Sequence, residues 1–420
     1  MKLKEAEAVL QEQIAAITAS SHIVRKLHET AQEYLALIQE GLKKKNISAE
    51  VFLGGSLAKG TIIKKDVYDI DLFVRFINYD NEKISKALEK VLSHKFKKVH
   101  GSRDYFQLRK GDVLIEVIPV MKIGSPKEAQ NVTDLSYFHV NYVMNKTRQS
   151  PRLKEEIIIA KNFCYAQHCY GAEGYVKGFS GYALELLICH YGSFLQLMKA
   201  IVELGGKEKL IIDDSQFYES RQQVLTELNP SKQLSPIILI DPTYKERNAL
   251  SGLSEETFLR FKEACRKFLD KPRMEFFEYQ QISERFDEKK SIVLQVRTIK
   301  QAGDIAGTKS KKFFDFFQGQ LEKEFVVKKS DFDYKEKENM AYFYFIVEKK
   351  KEETVRGPAL AYPKNVKQFK KAHPKSFEKN GFMYTMVSHS MSFDEWLVFF
   401  LKKYKPVIKE MGMKKVERKK

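Results

Sequence analysis

Apolar residues recur at three- and four-residue steps near the start of the chain: Ile14, Ile17, Val24, Leu27, Tyr34, Leu37 and Ile38. This spacing gathers them on one helical face, and Asn46 supplies a stop. The period then shortens to two. Val51–Leu53 and Tyr68–Phe76 read as strands on either side of a turn at Gly54–Ser56. A helix is expected near Glu82–Leu92, and a hairpin from Tyr105–Arg109 and Val113–Val120 about Lys110–Asp112. Together these predict a small mixed sheet with flanking helices, ending near residue 145.

From Lys154 to Leu269 the pattern is mostly helical, with helices at Ile157–Tyr170, Gly181–Leu204 and Ser254–Phe268. Gly178, Gly181, Pro230 and Pro236 punctuate it. The last third changes character. A strand at Ser291–Val296, a helix at Lys309–Glu322 and strands at Phe325–Lys328 and Met340–Glu348 are followed by a helix at Asn365–Ala372 and a strand at Phe382–Val387. That β-α-β-β-α-β order is shared by ferredoxin-like and RRM-type domains. Phe313, Phe314, Phe316 and Phe317 read as core. A final helix, Asp394–Lys405, precedes a basic tail, Lys414–Lys420, that reads as disordered. The fold class is α+β.

Charge adds a partner. Lys and Arg number 73 against 55 Asp and Glu, a net charge of +18, which points to a polyanion. The positive charge is spread along the chain and not collected on one amphipathic helix, which weighs against a membrane surface. No apolar run is long enough to span a bilayer, and the N-terminus lacks the apolar stretch of a signal peptide. Four cysteines in so long a chain do not suggest a disulfide framework, so a reducing cytoplasm is expected. Cys164, His168 and Cys169 lack a second ligand pair at finger-like spacing, which argues against zinc.

The chemistry concentrates in Gly54–Phe76. Asp69 and Asp71 lie two apart in a strand, so both carboxylates share a face. Like charges side by side repel unless a cation lies between them, and oxygen ligands suit Mg²⁺. Glu116 stands in an otherwise apolar strand, Val113–Pro119, where a metal site accounts for a carboxylate and a salt bridge is the plainer alternative. Gly54, Gly55 and Ser56 precede the aspartates and offer backbone N–H groups and a hydroxyl to phosphate oxygens, with Lys59 adding charge.

A Gly-Ser turn, then Asp69-x-Asp71, then a carboxylate on a later strand resembles the polymerase beta superfamily of nucleotidyltransferases. Tyr170–Phe194, Ile240–Ser254 and Arg356–Phe369 are similar to segments of the archaeal-type, class I CCA-adding enzymes, and the resemblance covers nearly the whole chain. It implies a nucleotidyltransferase head (1–145), a helical neck (146–275), and a body with an RRM-like tail (276–420). It further implies template-independent addition of C, C and A to the 3′ end of tRNA from CTP and ATP, with two Mg²⁺ ions. Residue by residue, it makes Asp69, Asp71 and Glu116 the metal-binding catalytic carboxylates. Gly55, Ser56, Lys59, Ser136, His139, Lys161 and Tyr170 become nucleotide contacts, and Arg247 the reader of the incoming base. Relative to some family members, Asp and Glu are exchanged at Asp69 and Glu116, Lys59 replaces arginine, and Ser136 replaces threonine. The loop between Ser56 and Asp69 is about one residue longer. The acceptor stem and 3′ end of tRNA are the implied partner; individual tRNA contacts are not assigned, and a homodimer is left open. The carboxylates alone fit equally a poly(A) or uridylyl polymerase or an antibiotic-modifying transferase. A silent RNA-binding scaffold is the reading from another class, and the intact carboxylate set weighs against it.

Overall fold

The first helical stretch is two helices. Lys2–Ile17 ends at a short bridge, and Ser21–Lys44 begins after Ser20, whose hydroxyl accepts the Ile23 N–H at 3.3 Å. This is a local N-cap, which stops one helix and starts the next without a proline or glycine. These details come from a computed structural model. It describes residues 2–419 except 102, 206–208, 300, 302, 351 and 388–389. The chain packs as two compact units, Met1–Tyr279 and Gln280–Lys420.

The first unit opens with a five-stranded sheet in the order Ala49–Leu53, Tyr68–Phe76, Val113–Met121, Tyr105–Lys110, Lys97–Val99. Only the contact between Tyr68–Phe76 and Val113–Met121 is parallel. Alternate residues of these two strands, Ile70, Leu72, Val74, Ile115 and Val117, are fully buried against the second helix. The opposite face carries Asp69, Asp71 and Glu116 beside Phe73, Leu114 and Ile118. Arg103 and Asp134 form a buried ion pair, and Asp134 also accepts the backbone N–H groups of Met121, Gln130 and Asn131. This fixes the approach to the helix Ser136–Gln149.

Beyond it lie the helices Leu153–Ala166, Gly181–Tyr191, Phe194–Glu203 and Glu255–Asp270 around a core that includes Phe163, Phe179, Phe194, Phe261 and Phe268. Each such ring contributes roughly 1.5–3 kcal/mol by leaving water. The expected single helix Gly181–Leu204 is broken: Gly192 adopts a φ of +76° and Ser193 caps a new helix through the Gln196 N–H. The expected helix to Tyr170 stops at Ala166, and Tyr170 pairs as an isolated bridge with Phe179. A small three-stranded sheet, Leu210–Ile212, Ile237–Asp241 and Tyr244–Asn248, also interrupts the helical region.

The second unit contains the four-stranded antiparallel sheet of the β-α-β-β-α-β arrangement, but from other elements than the spacing suggested. The sheet runs Phe325–Lys335, Met340–Lys349, Ile292–Thr298, Met413–Arg418. The last helix and strand of the pattern are therefore Phe393–Lys403 and Met413–Arg418. Lys414–Arg418 of the tail read as disordered belong to the fourth strand, and Lys420 lies outside the described residues. Pro363–Ala372 and Phe382–Val387 instead belong to an insertion with its own three-stranded sheet. Phe313, Phe314 and Phe317 are buried against Phe343, Phe345, Trp396 and Phe400.

Candidate functional site

The site begins with strand register. Asp71 lies opposite Glu116 across the parallel pair, and Glu116 lies opposite Gln107 across the next, antiparallel one. On the far side of Asp71, the Gly54 N–H donates to the Asp71 carbonyl at 2.8 Å. One row across the sheet thus carries Gly54, Asp71, Glu116 and Gln107, with Asp69 two residues back on the same face as Asp71. Gly55 has a φ of +60°, and a Cβ there would collide with the Asp71 carboxylate. Only glycine lets the backbone pass so close to the acid. The expected turn at Gly54–Ser56 is the start of a one-turn helix, Gly55–Lys59.

Burial, then Glu116 and then Asp69, push the Asp71 carboxyl up to about 7. Burial and Asp69 also raise that of Glu116, against the Gln107 amide, which donates to Glu116 Oε1 at 2.6 Å. Lys65 pairs with Asp69. Among the described residues no three His, Cys, Asp or Glu groups converge as a closed metal cage, since Asp69 turns to Lys65 and Glu116 to Gln107. The donor set nevertheless fits a hard divalent cation. Three carboxylates line one cavity as hard oxygen donors, and Asp71, desolvated between Glu116 and Asp69, has its charge opposed where a cation would relieve it.

That cavity, about 810 Å³, is lined by Gly55, Ser56, Lys59, Asp69, Asp71, Glu116, Lys161 and Tyr170 of the expected set. Two lysines share one acid in its wall. Lys59 Nζ lies 2.7 Å from Glu185 Oε2 and Lys161 Nζ 2.8 Å from Glu185 Oε1, while Lys161 also donates to Thr61 Oγ1 at 3.2 Å. Glu185 is 1% exposed in its side chain. Burial works against its charge, but Lys161 and Lys59 outweigh burial and hold its carboxyl below the usual range. Burial lowers the pKa of Lys161 in turn.

His139 and Arg247 are not among the cavity's lining residues; they meet at a buried acid, Asp241. Arg247 Nη1 is 2.7 Å from Asp241 Oδ2, His139 Nε2 is 3.0 Å from the same oxygen, and the Tyr182 hydroxyl donates to Oδ1 at 3.0 Å. The His139 contact is an ion-pair approach without an aligned hydrogen bond. Its ring stacks on Tyr182 at 3.9 Å, and Tyr182 lines the cavity, so this cluster adjoins the carboxylate site through one tyrosine. Burial keeps His139 below its ordinary pKa. Burial also opposes the charge on Asp241, yet His139 and Arg247 hold that carboxyl well below the usual carboxylate range. Ser136 stands at the start of the helix that carries His139 and does not line the cavity.

Sequence reasoning missed Glu185, Asp241, Tyr182, Lys65 and Gln107. A lone acid in the apolar run Tyr182–Cys189 was the one available signal for Glu185. Asp241 also bonds the Thr243 N–H at 2.8 Å and reads as an ordinary turn residue.

Residues 35–134 match the nucleotidyltransferase domain family, and residues 155–278 match the second domain of tRNA nucleotidyltransferases. A CCA-adding enzyme of Nanoarchaeum equitans is 33% identical over 394 residues, covering 91% of this chain and 94% of that protein. CCA-adding enzymes of Sulfurisphaera tokodaii and Methanocaldococcus jannaschii are 36% and 32% identical, covering 64% of this chain and 60% and 61% of theirs. A solved structure of a cytoplasmic RNA terminal U-transferase superposes with a TM-score of 0.51 at 14% identity, covering 66% of this chain and all of that one, which shows a shared fold alone. Both domain matches fall on the cavity's two walls, and the first of these relatives matches along nearly its full length: the chain belongs to the family of CCA-adding enzymes, nucleotidyltransferases of tRNA.

Proposed function

We propose that this chain adds C, C and A to the 3′ end of tRNA from CTP and ATP at the cavity bounded by Asp69, Asp71, Glu116, Lys59 and Lys161. The observation that carries the reading is the row Gly54–Asp71–Glu116, with three carboxylates and two lysines facing one space. Carboxylates and ammonium groups lining one cavity suit a triphosphate whose α-phosphorus is attacked.

Asp69, Asp71 and Glu116 would hold two Mg²⁺ ions. When bound, these would lower the pKa of the RNA 3′-hydroxyl and stabilise the departing pyrophosphate. The RNA 3′-oxygen forms a bond to the α-phosphorus as the bond from that phosphorus to the bridging oxygen breaks. Glu116, in the same row as Asp71, is the carboxylate placed to accept the hydroxyl proton. Lys59 and Lys161, held side by side by Glu185, neutralise the phosphates, and Ser56 and Tyr170, which line the same cavity, orient them, while His139 acts from the adjoining cluster through Tyr182. Arg247 presents a planar donor fork to ring-nitrogen acceptors, which cytosine and adenine both offer. Positioning and charge then supply most of the rate, as in other phosphoryl transfers.

In this reading residues 1–145 carry Asp69, Asp71 and Glu116 with Ser56 and Lys59, residues 146–275 add Lys161, Tyr170 and Arg247, and residues 276–420 hold tRNA. The net charge of +18 supports contacts to the RNA backbone that weaken with salt. Cys164, Cys169, Cys189 and Cys265 are free thiols, which supports the cytoplasm as the compartment. No described helix is long and apolar enough to cross a membrane.

The test is incubation with tRNA lacking its 3′ end, Mg²⁺ and labelled CTP and ATP, separately and together, beside an Asp69→Ala/Asp71→Ala control. Two C and one A, lost in the control, is the expected product. A long homopolymer, or incorporation that survives in the control, overturns the reading.

A further inference from the structure

We infer that Tyr165 and Tyr279 form a stacking platform at the rim of the cavity for the unpaired 3′-terminal base of the acceptor RNA. The two rings stack at 4.9 Å with an interplanar angle of 29°, and the His168 ring lies 4.7 Å from Tyr279. Both tyrosines are far more exposed than aromatic side chains that fill a core: Tyr165 is 55% and Tyr279 49% exposed. Tyr165 also lines the same cavity as Asp69, Asp71 and Glu116. A flat, water-exposed π-face beside a nucleotidyl-transfer centre, in a chain of net charge +18, has the chemistry of a single-stranded nucleic-acid platform. The inference rests on the reading of that cavity as the site of nucleotide addition.

The position favours the RNA end over the incoming nucleotide. Tyr165 follows Asn162 by three residues, one helical turn. Asn162 accepts a hydrogen bond of 3.0 Å from Gln13 on the first helix. The end of that helix holds the loop before Asp69, through the Lys64 N–H to the Ile17 carbonyl at 2.7 Å and a bridge between Thr18 and Ile63. Lys65 of this loop pairs with Asp69. Tyr165 thus stands one helical turn beyond Lys161, and its helix is tied through Asn162 and the first helix to the loop that holds Asp69. Arg247, the proposed reader of the incoming base, is tied to the other cluster through Asp241 and Tyr182. A base on Tyr165 would set its own 3′-oxygen toward the acids, where attack occurs.

The test uses the full chain and an RNA hairpin with a short single-stranded 3′ end terminating in 2-aminopurine, whose fluorescence falls on stacking. Because Tyr165 is exposed, its removal leaves the core intact. The wild-type protein and Tyr165→Phe should quench the probe, and Tyr165→Ala should not. In turnover with tRNA lacking its 3′ end, Tyr165→Ala should raise the KM for RNA about tenfold or more while the KM for CTP stays within about twofold. Tyr279→Ala should act in the same direction with a smaller effect. An equal rise in the KM for CTP would place the incoming base there and overturn the inference, as would unchanged quenching and KM in Tyr165→Ala. Probe binding needs no turnover, so a failure of C, C and A addition by the wild-type chain would register separately, as a failure of the functional reading.

Discussion

Asp71 faces Glu116 directly across the parallel strands, and burial first, then Glu116 and Asp69, push its carboxyl up to about 7. The cost of crowding two half-buried charges is carried by the folded state until a cation joins them. Replacing one charge removes that repulsion. Asp71→Asn should lower incorporation by about three orders of magnitude, the loss typical of a preorganised charge at a reaction centre. In metal-free buffer its melting temperature should equal or exceed that of the wild-type protein. Adding Mg²⁺ should raise the wild-type melting temperature and leave the variant's unmoved. A variant that melts lower and still gains from Mg²⁺ would mean that Asp71 is a structural acid.

Glu185 presents the opposite balance, one buried acid between two ammonium groups. Glu185→Gln leaves Lys59 and Lys161 facing each other without a countercharge. Breaking a buried ion pair typically costs about 3–5 kcal/mol, and a similar loss is expected here. A triphosphate brings negative charge to the same lysines. Saturating CTP should therefore raise the melting temperature of Glu185→Gln by more than that of the wild-type protein, as differential scanning fluorimetry would record. Equal shifts would show that the nucleotide does not meet these lysines.

Much of this arrangement was legible because the strand period is local. Asp69, Asp71 and Glu116 could be placed on their strands from alternation alone, since each neighbour is apolar and faces the other way. The hairpin of Tyr105–Arg109 and Val113–Val120 was readable for the same reason, each strand running one residue further in the fold. Glu185 was not, because its partners lie 126 and 24 residues away in sequence. Asp241 was hidden by a second role, since an aspartate before Pro242 and Thr243 is sufficiently explained as a turn. In the second unit the order of elements was right and their assignment wrong. Phe382–Val387 has as much strand character as Met413–Arg418. Only the long-range pairing of Met413–Arg418 with Ile292–Thr298 decides which one completes the sheet.

Asp241 gathers Arg247, His139 and Tyr182, so its charge should matter to stability and to base choice together. Its carboxyl titrates well below the usual range in the folded protein. Stability from this source is therefore full above the unfolded carboxylate pKa, about 3.9, and is lost as pH falls through the lower folded value. Asp241→Asn should cost about 3 kcal/mol near neutrality, with the gap to the wild-type protein closing in acid. Urea titrations at a series of pH values would measure it. A gap that stays constant below pH 4 would rule out the charge as the cause.

Arg247→Ala should narrow the preference for CTP over UTP, read as the ratio of kcat/KM, by about tenfold or more. This is the loss expected when a charged donor to a base edge is removed. Mg²⁺ dependence should be unaltered, because Arg247 does not touch the carboxylate row. An unchanged preference would remove Arg247 from base selection and leave it as the partner of Asp241.

The C-terminal strand separates two physical accounts of a basic tail. Lys414, Lys415 and Arg418 look like a mobile arm for a polyanion, yet Met413 is buried and the strand pairs along Leu294–Thr298. Removing residues 412–420 would strip hydrogen bonds from a central strand and open the core beside Trp396 and Phe400, a loss comparable to a large-to-small core change. Trp396 is the chain's one tryptophan and is 3% exposed, so its fluorescence reports on this unit. The truncated protein should lose its Trp396 transition about 5 °C or more below the full chain. Lys414→Gln, an exposed change, should leave it within about 1 °C. An arm would behave otherwise: truncation would weaken tRNA binding at low salt and leave the Trp396 transition where it was.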